Sequence, residues 1–143
     1  MIDDVIARLE ASVPDLAYRV EGAANFAALM KSNALPQHGT AAHVLPLGLR
    51  GGNADASTGA FTQMVEEVVG IVLTVRTFSQ TGDKALIELK PLIDAVVNAI
   101  AGWGPEDAMG VFRLVRGSLV TMAAGTMVYQ IDFSISDQLR ILS

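Results

Sequence analysis

The segments AHVLPLG (residues 42–48) and VEEVVGIVLTVRTF (residues 65–78) decide the fold of this chain. Both are largely apolar, and the second is long and rich in valine, which favours a strand. The polar, glycine-containing segment Leu49–Ala60 lies between them. We therefore predict a wide β-hairpin whose oversized loop spans Leu49–Ala60. Long loops on a rigid scaffold are common places for contacts with partners.

The return strand of this hairpin has two largely apolar faces. Because side chains alternate along a strand, one face carries Val69, Ile71, Leu73 and Val75, and the other carries Val68, Gly70, Val72 and Thr74. Apolar residues on both faces are typical of a central strand that is covered on both sides.

The rest of the chain predicts helices and further strands. The helical patterns are Ile2–Val13, Ala23–Ser32 and Asp83–Ala101, the last of which we expect to be kinked or divided at Pro91. Leu16–Val20 predicts a short strand. Val111–Met122 and Thr126–Ser136 predict a second hairpin, turning at residues 123–125 and carrying apolar odd positions in its last strand. The fold class is thus α+β, with one domain over residues 1–143 and a mainly antiparallel mixed sheet packed against helices.

The composition of the chain disfavours several classes of function. The net charge is −5 with no basic cluster, which disfavours nucleic-acid recognition. No membrane span or secretory signal is evident. Charged residues make up only 17% of the chain, well below the roughly 25% of average soluble domains. We attribute this shortage to a large interface between subunits.

The usual chemical signatures give no catalytic residue, metal site or cofactor site. The histidines, His38 and His43, lack neighbours with metal-ligand spacing. Glu66 and Glu67 are adjacent on a strand and point to opposite faces, so they do not converge on one substrate. We expect one to be exposed and the other to pair with a basic residue of a neighbouring strand or subunit, for instance Arg76, Arg113 or Arg116. Simple alternation places Arg113 and Arg116 on opposite faces.

The order and spacing of several segments resemble the tail terminator proteins of long-tailed phages. They are the run Ala42–Gly48, the glycine-containing loop, the strand Val65–Thr77, the helix end Ala101-Gly102-Trp103 and the final strand pair RLVRGSL (113–119) and VYQIDF (128–133). The resemblance covers roughly residues 40–135.

The resemblance implies a structural protein of the virion, assembled in the host cytoplasm, with no catalytic residue. It implies a ring, usually a homohexamer, at the head-proximal end of the tail. There the protein would stop polymerisation of the major tail tube protein and present a surface to the head–tail connector or head completion protein.

Candidate partner-interface residues lie mainly on the hairpin. We expect axial contacts from its loop and from the acidic pair; the candidates are Arg50, Asn53, Asp55, Ser57, Thr58, Glu66, Glu67 and Arg76. Two alternatives remain open: a related head–tail connector or tail-tube subunit, and a small ligand-binding or hydrolytic α+β enzyme.

Overall fold

The computed structural model describes residues 1–31, 39–56, 59–76, 83–123 and 126–142, without the side chains of residues 83–86, 123 and 142. This part of the chain contains three α-helices and five strands. In chain order they are α1 (Ile2–Ser12), β1 (Val20–Glu21), α2 (Ala23–Lys31), β2 (Thr40–Asp55), β3 (Ala60–Arg76), α3 (Asp83–Ile100), β4 (Arg113–Ala123) and β5 (Thr126–Leu142).

The strands form one mixed sheet in the order β1-β2-β3-β5-β4. Only the short β1–β2 pair is parallel, and the other pairs are antiparallel. The central strand β3 pairs with β5 without a register shift, from Ala60 opposite Leu142 to Arg76 opposite Thr126. The predicted α+β class is confirmed.

The hairpin loop is much shorter than predicted. β2 runs to Asp55 and β3 starts at Ala60, so most of Leu49–Ala60 is strand. Glycine, asparagine and aspartate have low strand propensity, but pairing with an established strand overrides it. The β2–β3 register shifts between Pro46 and Gly48 and again between Gly51 and Ala54, and such bulges accommodate irregular residues within a ladder.

The main core lies between one face of the sheet and the helices α1 and α3. Val5 and Leu9 of α1 and Val96 of α3 are fully buried there. From β3 the core takes Val69, Ile71, Leu73 and Val75, the odd face that alternation predicts. From β5 it takes Met127, Ile131, Phe133 and Ile135, as its period-2 pattern predicts.

The opposite face of the sheet is also buried along its middle. Val72 and Thr74 of β3 are 3% and 2% exposed, which confirms that the central strand is covered on both sides. Helix α2 lies on this face, where the Phe26 ring meets the His43 ring edge-on at 5.3 Å between centroids. The face of β5 that carries its even-numbered residues is less exposed to solvent than its polar sequence indicates, because Thr126, Val128 and Ser134 are buried as well.

Three local predictions differ from the structure. Leu16–Val20 is not one strand: Pro14–Leu16 is a 3₁₀ turn, and Tyr18, just before β1, has φ 63°, which is not a strand conformation. α3 is not divided at Pro91, which is exposed. β5 continues six residues beyond Ser136, to Leu142. The predicted turn at 123–125 falls largely outside the described residues.

Candidate docking site

The outer halves of three strands project beyond the helices. Burial ends at Val44 in β2, Val69 in β3 and Ile135 in β5, and residues 46–56 are all exposed. We call residues 46–55, 60–68 and 136–142 the ribbon. At a rise of about 3.3 Å per residue, its central strand is roughly 30 Å long. The ribbon is therefore a long rigid element, not the loop that the sequence predicts.

The two faces of the ribbon differ in character. In the register, Arg50, Glu66 and Ser136 lie opposite one another and share one face, which also carries Arg140. The other face carries Leu49, Leu139 and Ile141, which are 69%, 41% and 53% exposed. We call the first, which carries Arg50 and Glu66, the polar face; the other combines exposed leucine and isoleucine with Glu67 and Asp137.

Glu66 is the centre of the main polar network on the ribbon. The Arg113 guanidinium forms an ion pair with its carboxylate, and the Ser134 hydroxyl donates a hydrogen bond to Glu66 Oε1 at 3.1 Å. Arg113 Nε in turn donates to Ser134 Oγ at 2.9 Å. The hydrogen bonds from Arg113 and Ser134 lower the pKa of Glu66, and the charge of Arg50 opposite acts in the same direction.

This network confirms that one acid of the Glu66–Glu67 pair is bound to an arginine of another strand. Glu67 lies on the other face, opposite Leu49, so the two carboxylates do not converge. The role of Ser134 is missed by sequence reasoning. Its even-numbered position on β5 indicates which face of the strand it occupies, but only the register between β3 and β5 brings it beside Glu66.

The prediction that Arg113 and Arg116 lie on opposite faces is wrong. β4 has a register shift between Leu114 and Arg116, so Arg113 pairs with Ser134 and Arg116 with Asp132. Those two partners are two residues apart on β5 and share a face. The extra residue of the bulge therefore brings both arginines to the same side of the sheet.

The other candidate residues are spread along the hairpin. Asn53 and Asp55 are exposed near the end of β2, and the Asp55 carbonyl accepts a hydrogen bond from Thr62 Oγ1 at 3.5 Å. Arg76 is exposed at the opposite end of β3, about 33 Å from Glu66 at the usual strand rise. Ser57 and Thr58 lie outside the described residues. The structure brings Arg50 and Glu66 together and separates Arg76 from them.

Two shallow grooves lie on the ribbon. One, of about 250 Å³, is lined by Arg50, Gly52, Met64, Glu66 and Arg113, among others. The other, of about 330 Å³, is bordered by Ile2, Leu49 and Glu67. A larger cavity of about 650 Å³ lies elsewhere, between the Pro14–Arg19 segment and α3. Open grooves of mixed polarity suit contact with another protein surface better than enclosure of a small molecule.

His43 is a buried histidine of the sheet, 2% exposed. Its Nε2 lies 2.8 Å from Asn25 Oδ1, and within the described part of the chain Nδ1 has no hydrogen-bond partner. Burial lowers the pKa of His43, and the charge of Glu21 opposes this weakly. The described residues hold no group of three or more histidine, aspartate or glutamate side chains placed to bind a metal ion.

Comparison with models of known protein families shows to which family the chain belongs. The family model of phage tail terminator proteins matches residues 2–142, so the chain belongs to the phage tail terminator family. This is a family of structural tail components, and its members are parts of the virion. A search of curated proteins found no match. In the described ranges, no helix combines the length and hydrophobicity needed to cross a bilayer.

Proposed function

We propose that this protein forms a homohexameric ring that caps the head-proximal end of the tail tube, ends its polymerisation and provides the surface for head attachment. Its partners are further copies of itself, the major tail tube protein and the head–tail connector or head completion protein. The proposal includes assembly in the host cytoplasm and a purely structural role without catalysis.

The observation that carries this proposal is the ribbon. A three-stranded element that projects beyond its helices, with a polar face and a second face that exposes apolar side chains, suits docking onto another protein. The ion pair of Arg113 with Glu66 links the base of the ribbon to β4, so the ribbon is braced against the sheet. A rigid element loses little entropy on binding, which favours a tight contact with the end of a tube.

Capping requires that the two axial faces of the ring differ. One face must match the exposed end of a tube ring, while the other must not accept the next tube subunit. A chain whose ribbon projects from one end of the sheet presents two different axial surfaces in a ring. Addition of tube subunits then stops after the terminator has bound.

Tails assembled without this protein provide the direct test. We expect tubes that are overlong or uncapped in electron micrographs, and no attachment to heads. Tails of normal length that join heads without the protein would contradict the proposal. Purified protein is expected to give a single discrete ring by native mass spectrometry, whereas growth into long tubes would identify a tube subunit instead.

The ribbon itself is tested with Arg50→Glu in a tube-capping assay. We expect this variant to form rings but to leave tube length uncontrolled, since Arg50 lies on the polar face of the ribbon. Arg76→Glu is the matched control: although the sequence makes Arg76 a candidate, it is an exposed arginine at the other end of the same hairpin, outside the ribbon. Equal capping by both variants would show that the polar face of the ribbon does not contact the tube.

A further inference from the structure

The edge strand β4 and the residues just before it carry an unusual amount of exposed apolar surface. Val111, Leu114, Val115, Leu119, Val120 and Met122 are each between 46% and 58% exposed. Leu114, Leu119 and Met122 pair with Phe133, Tyr129 and Met127, so they lie on the face that carries α1 and α3. These helices do not cover β4, because its contacts with the rest of the described chain are made chiefly through β5. We call Val111–Met122 the β4 patch.

The edge of β4 is also open. β4 is the last strand of the sheet, and among the described residues no strand pairs with its outer side. Arg113 and Arg116 are the only charged residues in the β4 patch, and Arg113 is already paired with Glu66. Arg116 is exposed and forms no ion pair with any described residue. A long apolar edge that carries basic residues is suited to a partner with an apolar and acidic surface.

The opposite end of the same sheet has this complementary character. It is built from residues 1–31, which carry five acidic and three basic residues. Helix α1 covers the β1–β2 end on one face and α2 covers it on the other. Four of the five acids, Asp3, Asp4, Asp15 and Glu21, are exposed, against two of the three basic residues, Arg19 and Lys31.

Helix α2 adds apolar surface at this end. It buries none of its residues, although its sequence AANFAALMK contains a single charge. A helix of nine residues is marginal alone, so it gains stability from any surface that covers it.

We infer that the β4 patch of one copy docks against the end formed by α1, β1 and α2 of the next copy. This inference rests on the proposed ring. The two surfaces lie at opposite edges of one sheet, so the contact joins different faces of the two copies. Contacts of this kind repeat head to tail and close into a ring, whereas a two-fold contact between two β4 patches would set basic residues against each other and stop at a dimer.

Cysteine cross-linking provides the test, since the natural chain contains no cysteine. Val120→Cys is combined in turn with Ala11→Cys on α1, Glu21→Cys on β1 and Ala28→Cys on α2, all at exposed positions. Under mild oxidation, with and without uncapped tubes, we expect at least one double variant to give a ladder of covalent oligomers. The largest of them should contain as many subunits as the ring. The matching pair of single variants, mixed, should give only a dimer.

Two controls make the result decisive. Val120→Cys combined with Asn98→Cys, at an exposed position of α3, should not form a ladder. Val120→Cys alone should stay monomeric on denaturing gels. A dimer of that single variant would show a two-fold β4 contact and overturn the inference, as would rings in which none of the three combinations cross-links. Absence of any ring, even on tubes, would overturn the proposed function itself.

A charged substitution supplies an independent readout. Val120→Asp should prevent ring formation while leaving the thermal unfolding of the subunit unchanged, because the side chain is exposed. Ile87→Asp is the matched control: Ile87 is 72% exposed on α3, outside the β4 patch. Rings from both variants would contradict the inference.

Discussion

At the scale of single residues, two titratable groups in different parts of the fold have shifted pKa values. His43 lies in the covered middle of the sheet under α2, and Glu66 lies at the junction of the ribbon with β4. Burial acts on the first and hydrogen bonding on the second, so both pKa values move down although one group is a base and the other an acid.

His43 makes the fold less stable as the pH falls below neutrality. Its pKa in the folded state is below the ordinary 6.5, so the unfolded chain takes up the proton first. Stability is therefore full above 6.5 and decreases as the pH falls through this value. We expect urea unfolding to give a lower free energy at about pH 5.5 than at about pH 7.5.

The variant His43→Leu should lose most of the difference in unfolding free energy between about pH 5.5 and about pH 7.5. Both chains are best measured in a His38→Gln background, so that the second histidine does not contribute. A pH dependence in the His43→Leu variant equal to that of its parent would contradict the assignment.

Glu66 also makes the fold less stable in acid, although it is an acid and His43 is a base. Its lowered pKa means that the folded state favours the carboxylate. The stabilisation is present above the ordinary carboxyl value of 4.5 and is lost as the pH falls through the folded pKa. Glu66→Gln should flatten the acid limb of a stability–pH curve. Glu67→Gln, at the neighbouring position on the other face, is the matched control, and an equal effect of both variants would contradict the role of Glu66.

At the scale of elements, the segment between α3 and β4 shows how a loop is locked to the core. α3 ends at Ile100, and Gly102 follows with φ 81°, a conformation that favours glycine. Trp103 exchanges two backbone hydrogen bonds with its surroundings, and its ring stacks on Phe112 at 5.9 Å between centroids. The Arg8 guanidinium covers the indole at 5.3 Å and also donates to the Ala99 carbonyl. The segment therefore ties α1 to α3 and positions the start of β4.

Gly104→Ala should destabilise the protein by about 1–3 kcal/mol, the usual cost of overpacking. A methyl group there would overlap the carbonyl oxygen of Gly110, which belongs to the backbone and does not move aside easily. Gly48→Ala is the control, because a methyl group at Gly48 meets nothing within 4 Å. Chemical denaturation compares the two, and equal effects would mean that the loop rearranges freely.

At the scale of the whole molecule, the subunit consists of one buried core and two regions that lie outside it, the ribbon and the β4 patch. The core between the sheet and helices α1 and α3 holds the subunit together. The ribbon and the β4 patch contribute little to that core and remain available for partners. Part of the apolar content of the sequence lies on these surfaces, since Leu49, Leu139, Leu119 and Val120 are all more than 40% exposed.

This division predicts a sharp contrast between two truncations. Phe133→Ala should reduce the free energy of unfolding by about 3–5 kcal/mol, since Phe133 is fully buried beneath the helices. Ile87→Ala, at a site 72% exposed, should change it by less than about 0.5 kcal/mol. Urea denaturation of the isolated subunit measures both. A small effect at Phe133 would contradict the position of the core.

The sequence by itself determined the α+β class, the helices α1 to α3, the odd core face of β3 and β5 and the family resemblance. These follow from periodicity and from the order of segments, which are local properties of the chain. Only the tertiary structure decided that Leu49–Asp55 is strand, that a bulge puts Arg113 and Arg116 on one face and that Ser134 meets Glu66. Each depends on the register between paired strands, where backbone pairing outweighs the local preference of the residues.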